Sequence, residues 1–430
     1  MSKRDAKSSD LTGFQNLSGL VAPAALPERW RVARLGDVIQ TRRDLTQPSS
    51  DGKARYVGLE HIDSGNARLS RWGTENEVRS SKNKFFAGDV LYGKLRPYLD
   101  KVVLAEWEGM CATDILVFVA DKQRALPEFA VHLLHTRAFL NHAISTTSGT
   151  NHPRTSWQAL QSFALALPPL PEQRAIARVL STLQRAIETQ DKLIATARQV
   201  KKVLMRHLFT YGAVPPADAA RVPLKETEIG AVPEAWEVMK LGDVCEKPQY
   251  GYTESATTKS VGPKFLRISD IQDGGVNWPL VPYCEISESF YEKYALKDGD
   301  LVVARIGATT GKSYFISNPP RSVFASYLIR VRAKMKLSPE YLRYFANTEN
   351  YWKQINESKG GRLKQGINLP ILTGLRLQLP PIPEQRAIAR ILAAVDQKIA
   401  AEEKRKAALQ TLFRTMLHQL MTGQVRIVTG

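Results

Sequence analysis

Leu167-Pro-Pro-Leu-Pro-Glu-Gln-Arg-Ala-Ile-Ala-Arg-Val-Leu180 returns as Leu379-Pro-Pro-Ile-Pro-Glu-Gln-Arg-Ala-Ile-Ala-Arg-Ile-Leu392, with twelve of fourteen positions identical at an offset of 212. Self-similarity at a fixed offset signals a duplicated structural unit. Upstream, Pro27-Glu28-x-Trp30 and Leu35-Gly36-Asp37-Val38 are answered at an offset of 206 by Pro233-Glu234-x-Trp236 and Leu241-Gly242-Asp243-Val244. Gly88-Asp89-Val90-Leu91 matches Gly299-Asp300-Leu301-Val302, and Pro127-Glu128-Phe129 matches Pro339-Glu340-Tyr341. Each half therefore runs in the same order: a globular stretch, the Pro-Pro-x-Pro-Glu-Gln motif, then a charged segment. The globular stretches diverge while the segments after Pro-Glu-Gln stay alike, the pattern of one frame carrying two differently tuned heads.

The segments after the motif read as long helices. Pro171 and Pro383 suit a first helical turn, and Glu172 and Glu384 complement the helix dipole there. Stepping 4-3 from Ile176 gives Leu180, Leu183, Ile187, Gln190, Ile194, Ala197, Lys201, Leu204 and Leu208; stepping from Ile388 gives Leu392, Val395, Ile399, Glu402, Lys406, Leu409, Phe413, Met416 and Leu420. Eight of ten positions are apolar in each series, which argues for a coiled-coil seam, with Gln190, Glu402 and Lys406 as polar register markers. Two such segments in one chain most simply zip together, antiparallel if a pseudo-two-fold relates the heads. Thirty-eight helical residues, Glu172 to Phe209, would span ~57 Å. That exceeds the ~34–36 Å between half-sites one turn apart on B-DNA, so two half-sites with an unread gap are expected.

The heads read as mixed α and β. Val102-Val103-Leu104, Ile115-Leu116-Val117-Phe118-Val119 and Tyr327-Leu328-Ile329-Arg330-Val331 are strand-like. Single helices are expected over Pro127–Leu140 and Pro339–Ile355. The fold class is α+β: two similar mixed α/β heads, each followed by a long helix, the helices forming an antiparallel coiled coil. The expected boundaries are a polar tail at 1–25, a first head at 26–166, a first long helix at 167–211, a linker at 212–232, a second head at 233–378, a second long helix at 379–423 and a tail at 424–430.

Composition narrows the function. The chain has 430 residues, with 60 Lys+Arg against 42 Asp+Glu, a formal charge of +18. Such a balance points to a polyanionic partner, with nucleic acid first. No apolar run approaches the ~18 residues of a membrane span, so no membrane partner is expected. Met1-Ser2-Lys3-Arg4-Asp5 leads into a polar Ser-rich stretch rather than a secretory signal. Cys111, Cys245 and Cys284 are scattered and odd in number, which argues against a disulfide scaffold or a Cys-based zinc site and fits a cytoplasmic location.

These features carry a resemblance. The doubled L-P-P-[LI]-P-E-Q-R-A-I-A-R, the opening Glu226-Thr227-Glu228-Ile229-Gly230-x-x-Pro233-x-x-Trp236 and the tail Leu420-Met421-Thr422-Gly423 resemble those of the specificity subunits of type I restriction-modification systems, over roughly residues 26 to 425. The resemblance implies two target-recognition domains, each reading half of a bipartite site in double-stranded DNA. It further implies two antiparallel helices that dock two methyltransferase subunits, with restriction subunits completing the complex. The chain itself would be non-catalytic and hold no cofactor; S-adenosylmethionine, ATP and Mg would belong to its partners. A self-sufficient methyltransferase or nuclease, and a basic coiled-coil nucleic-acid adaptor, are the alternatives.

Candidate DNA-contacting residues follow from the repeat. Gly93-Lys94-Leu95-Arg96-Pro-Tyr-Leu-Asp-Lys101 aligns at an offset of 211 with the stretch holding Arg305 and Lys312, so both heads carry basic residues on a Gly-marked loop between strands. Lys94, Arg96, Lys101, Arg305 and Lys312 suit phosphate or guanine contacts. Thr150 with Arg154, and Arg362 with Lys364, stand in matching places before each Pro-Pro motif and suit the DNA backbone. Ile176, Leu180, Leu183, Ile187, Ile388, Leu392, Val395 and Ile399 are the expected coiled-coil and partner-docking positions. Gly307-Ala-Thr-Thr-Gly311-Lys312-Ser313 has three residues between its glycines where a phosphate-binding loop needs four. Asn318-Pro319-Pro320-Arg321 lacks the aromatic that base methylation requires and reads as a turn. His132 and His135 share a helical face without an acidic or Cys partner in sequence, and a structural role is expected.

Overall fold

The computed structural model describes residues 26–272, 275–358 and 366–427. The chain divides into two compact units. One holds residues up to Lys192 together with those from Glu403 onward, and the other holds Leu193–Glu402.

The first unit is built on a four-stranded antiparallel sheet in the order Ile39–Arg42, Ile115–Ala120, Val90–Gly93, Val102–Leu104. The Val/Ile/Leu runs expected as strands form its centre and edge. A five-stranded sheet carries a parallel pair, Arg55–Val57 with Gly109–Cys111. The opening strand Arg31–Arg34 pairs antiparallel with Ala164–Leu167, the strand that leads into the first long helix.

The second unit repeats this plan. Its four-stranded sheet runs Gln249–Tyr250, Leu328–Val331, Leu301–Ala304, Ser313–Phe315. Lys264–Leu266 pairs parallel with Ser322–Phe324, and Glu237–Lys240 pairs with Arg376–Leu379. In each central sheet the repeat-matched aspartate of Gly-Asp anchors an arginine. Asp89 takes a two-pronged bond from Arg42 at 3.0 and 3.2 Å; Asp300 takes one from Arg332 at 2.6 and 2.8 Å. The arginine comes from the sheet's edge strand in the first unit and from just beyond the central strand in the second.

The long helices run from Leu170 to Tyr211 and from Ile382 to Met421. Every 4-3 position from Ile176 to Leu208 and from Ile388 to Leu420 is buried or half-buried, including the polar Gln190, Glu402 and Lys406. Within the first unit the start of one helix lies beside the end of the other: Ile176 and Leu180 share a core with Leu417, Leu420 and Met421, and Asp191 pairs with Lys406. Within the second unit, Leu208 and Phe209 share a core with Ile388 and Leu392, and Lys201 pairs with Asp396 at 2.6 Å. In each unit the two stretches run in opposite directions.

The Glu-Gln of the repeated motif fastens each helix to its head. Glu172 accepts from the Trp30 indole and Glu384 from the Trp236 indole, both at 3.0 Å. Gln173 accepts from Leu126 N–H and donates to the carbonyls of Arg124 and Pro168. Gln385 does the same with Ser338 N–H and the carbonyls of Lys336 and Pro380. Both glutamines are fully buried, where unmet polar groups would be destabilising, so the motif's identity across the repeat has a structural cause.

One expectation is corrected twice, at matching places. The single helix expected over Pro127–Leu140 is two, Pro127–Leu133 and Arg137–Ser145; that over Pro339–Ile355 is Pro339–Phe345 and Glu349–Ser358. Thr136 and Thr348 cause the breaks. Each hydroxyl donates back to a carbonyl three residues earlier and accepts from the N–H three residues later, starting a new helix by N-capping.

Candidate nucleic-acid interface

Each head presents a loop between the central strand and the edge strand of its four-stranded sheet. In the first head Gly93 N–H donates to Lys101 O at 2.8 Å and closes the loop base. Lys94 N–H donates to Asp114 O, and Leu99 N–H donates to Arg96 O. In the second head the matching bonds are Ala304 N–H to Lys312 O, Arg305 N–H to Tyr327 O and Thr310 N–H to Gly307 O. The two loops share one backbone path, although their sequences differ at nearly every position.

The path demands left-handed backbone at two points. The second head meets the demand with Gly307 (φ 81°) and Gly311 (φ 92°), the first with Arg96 (φ 52°) and Asp100 (φ 48°). A left-handed non-glycine residue costs roughly 1–2 kcal/mol, and Arg96 also precedes Pro97, which restricts it further. Asp100 is held from behind: its carboxylate meets Nδ1 of buried His135 at 2.9 Å, while Nε2 of that ring meets Val102 O at 3.0 Å. Arg96 is exposed. Arg96 thus keeps a strained backbone while its charged side chain stays in solvent.

A second loop clasps the first. Ser148 and Arg154 exchange backbone hydrogen bonds at 2.9 and 3.0 Å, leaving Gly149 (φ 90°) and exposed Thr150 at the tip. Arg96 N–H donates to Pro153 O, and Thr155 N–H donates to Lys94 O. Lys94, Arg96, Thr150 and Arg154 therefore share one doubled loop. Arg154 makes a two-pronged bond to Asp114 at 2.9 and 3.1 Å, and this hydrogen bonding, helped by the charges of Arg154, Lys94 and His152, holds the Asp114 carboxyl below its ordinary range. The bond leaves the Arg154 side chain exposed. Lys101 stands apart, since its ammonium donates to Leu59 O.

In the second head the clasp is partly visible: Ile367 N–H donates to Arg305 O at 2.7 Å, the counterpart of the Thr155–Lys94 bond. Arg305 is half-buried, stacked 4.4 Å over the Tyr250 ring with Nη1 toward Ser326 O. Lys312 is exposed. Arg362 and Lys364 lie outside the described residues. The Gly307–Ser313 stretch joins two antiparallel strands rather than opening a helix, and Asn318-Pro-Pro is a turn with Asn318 left-handed, ahead of Arg321 stacked 3.9 Å over Tyr291.

Two aromatic residues join these loops without having been singled out in the sequence. Tyr98 is 52% exposed inside the first head's loop, and Tyr327 is 57% exposed beside Arg305. Aromatic faces next to guanidinium groups suit sugar and base contacts. The available signal was an aromatic inside or just beyond a loop already marked by basic residues.

The helix positions expected to dock partners divide differently. Ile176, Leu180, Ile388 and Leu392 are fully buried in the unit cores; Leu183, Ile187, Val395 and Ile399 are half-buried. The first four present no exposed surface. His132 is buried against Ser181 Oγ at 3.1 Å, and burial pushes its imidazole down to about 3. Burial likewise raises the thiols, Cys111 and Cys245 to about 12 and Cys284 to about 11, which keeps them unreactive. No helix among the described residues is long and apolar enough to cross a membrane.

Comparison with known proteins agrees with this doubled arrangement. The family described as type I restriction modification DNA specificity domain matches residues 27–198 and again 233–411. Among curated relatives, the type I restriction enzyme MjaVIII specificity subunit of Methanocaldococcus jannaschii is 26% identical, covering 96% of each chain. The EcoDI specificity subunit of Escherichia coli is 29% identical over 40% of this chain and 39% of that one. The S subunit of M. genitalium shares the fold at a TM-score of 0.60 with 15% identity, covering 91% of this chain and 96% of that one. A chain from a solved type I R-M system matches at 0.57 with 23% identity, covering 94% and 100%.

Proposed function

Since the chain belongs to the type I restriction-modification DNA specificity family, whose members are the non-catalytic specificity components of their complexes, we propose that it reads a bipartite site in double-stranded DNA. Each head contributes one half-site, and the paired long helices act as a coiled-coil spacer. Methyltransferase subunits dock on the chain, one per repeat, and restriction subunits complete the assembly in the cytoplasm. S-adenosylmethionine, ATP and Mg reside on those partners.

The observation that carries this reading is one loop path built twice with different side chains. A common path gives both heads the same approach to the duplex. Lys94, Arg96 and Tyr98 against Arg305, Gly307 and Thr309 give them different readouts. Lys94 and exposed Lys312 supply charge for phosphates; Arg96 has the fork that pairs with guanine in the major groove. Thr150 and Arg154 stand beside them for the backbone, and Arg362 and Lys364 are the sequence counterparts proposed for the same role in the second head.

Selection of binding sites from random duplexes tests the reading. Two conserved half-sites around a gap of fixed length are expected, with affinity falling steeply between 50 and 200 mM salt. Replacing residues 233–378 by a head of other specificity should change one half-site alone. Enrichment of a single continuous motif, or of none, would overturn the proposal.

A further inference from the structure

Most of the repeated motif is explained from within: Glu172 and Gln173 fasten the helix, and Ile176, Ala177 and Leu180 fill the core. Arg174 and Arg178, with their repeat partners Arg386 and Arg390, are not. All four are exposed. Among the described residues, none of the four guanidinium groups has a hydrogen-bond or ion-pair partner. Helix formation does not ask for them, since glutamine or glutamate would serve about as well, and a cation near the positive end of the helix dipole gains nothing there. Four identical unpartnered cations in a chain whose heads otherwise diverge point outward.

The surroundings indicate the occupant. In the second unit Arg386 and Arg390 line a hollow of about 580 Å³ together with Arg343, Glu340 and the buried Tyr344 and Ala389. A DNA backbone meets a positive surface and gains nothing from a carboxylate or from apolar contact. A protein surface gains from both: an apolar floor, and guanidinium forks at the rim for carboxylates. The sequence contrast agrees. Loops that read different half-sites have diverged, whereas a surface holding two copies of one partner stays the same.

We propose that each Arg-x-x-x-Arg pair, Arg174 with Arg178 and Arg386 with Arg390, anchors a carboxylate-bearing face of one methyltransferase subunit, giving two equivalent docking points per chain. This rests on the reading that the chain docks such subunits, and it moves the contact from the buried seam to the exposed face of the first helical turns.

The test is the full-length chain co-expressed with its cognate methyltransferase subunit, with stoichiometry read by native mass spectrometry. Two copies are expected on the unaltered chain, one on R174E/R178E, one on R386E/R390E and none on the quadruple variant. R174K/R178K keeps the charge but loses the fork, and should weaken its site about 10-fold. Thermal unfolding and DNA affinity of each isolated variant should match those of the unaltered chain. Two copies on the quadruple variant would overturn the proposal, as would weakened DNA binding with stoichiometry intact, which would make these arginines phosphate contacts. If the unaltered chain binds no methyltransferase, the docking reading itself fails and takes the proposal with it.

Discussion

Arg96 and Asp100 separate what a fold needs from what a function needs. The second head places glycine at both left-handed points, so the loop path does not depend on a side chain at either. Arg96→Gly should therefore leave stability unchanged or raise it by about 1 kcal/mol, through relief of left-handed strain. Discrimination at the first half-site should fall at the same time, with the second half-site untouched. Unfolding curves beside binding to single-base variants of each half-site make the check; an Arg96→Gly chain with full discrimination would remove Arg96 from the interface. His132 makes a pH argument. Its folded value lies near 3 through burial, against an ordinary 6.5. Below pH 6.5 the unfolded chain takes up a proton that the folded chain refuses. Stability tied to this group is thus intact above pH 6.5 and declines as pH falls toward 3, by up to about 1.4 kcal/mol per unit. His132→Gln should flatten that decline in melts between pH 7 and 5, and an unchanged slope would assign it to other groups.

At the scale of elements, legibility followed side-chain pattern. The 4-3 series could be read because a covered helix face requires apolar residues at that spacing, and all twenty positions are buried or half-buried. The strands around Val102 and Ile115 were legible for the same reason. The breaks at Thr136 and Thr348 were not, because helix periodicity continues across them and only the capping hydroxyl marks the new start. The clasp between the loops at 94–101 and 146–155 was invisible too. It is made by backbone groups of Lys94, Arg96, Pro153 and Thr155, so the sequence offered two basic loops and no reason to join them. The glutamine latch shows the converse, where twelve identical positions announced a motif without its mechanism. Gln173→Ala would leave one N–H and two carbonyls unmet in a buried site, a loss of about 3 kcal/mol. Gln173→Glu should not rescue it, since glutamate cannot donate to Arg124 O or Pro168 O. Denaturant unfolding with amide exchange at Leu126 reads both, and a loss under 1 kcal/mol would mean that water takes the glutamine's place.

For the whole molecule, the open quantity is the gap between half-sites. On the proposed reading the paired helices set it, because a coiled-coil spacer changes length only in whole helical rises. One heptad inserted at matched levels in both helices adds ~10 Å at 1.5 Å per residue, about three base pairs of B-form rise. The preferred gap should lengthen by that amount while both half-site sequences stay the same. Those added base pairs also rotate the second half-site about the duplex axis by roughly 100°, whereas a heptad turns the helix pair by only ~20°. The DNA would have to twist to present both grooves, so affinity should drop as the gap moves. Three heptads add ~31 Å, close to one full turn of the duplex, and should recover most of the lost affinity at a gap longer by about nine base pairs. Site selection on the two insertion variants measures gap and affinity together. A gap that stays fixed through both insertions would show that the heads, and not the helices, set the spacing.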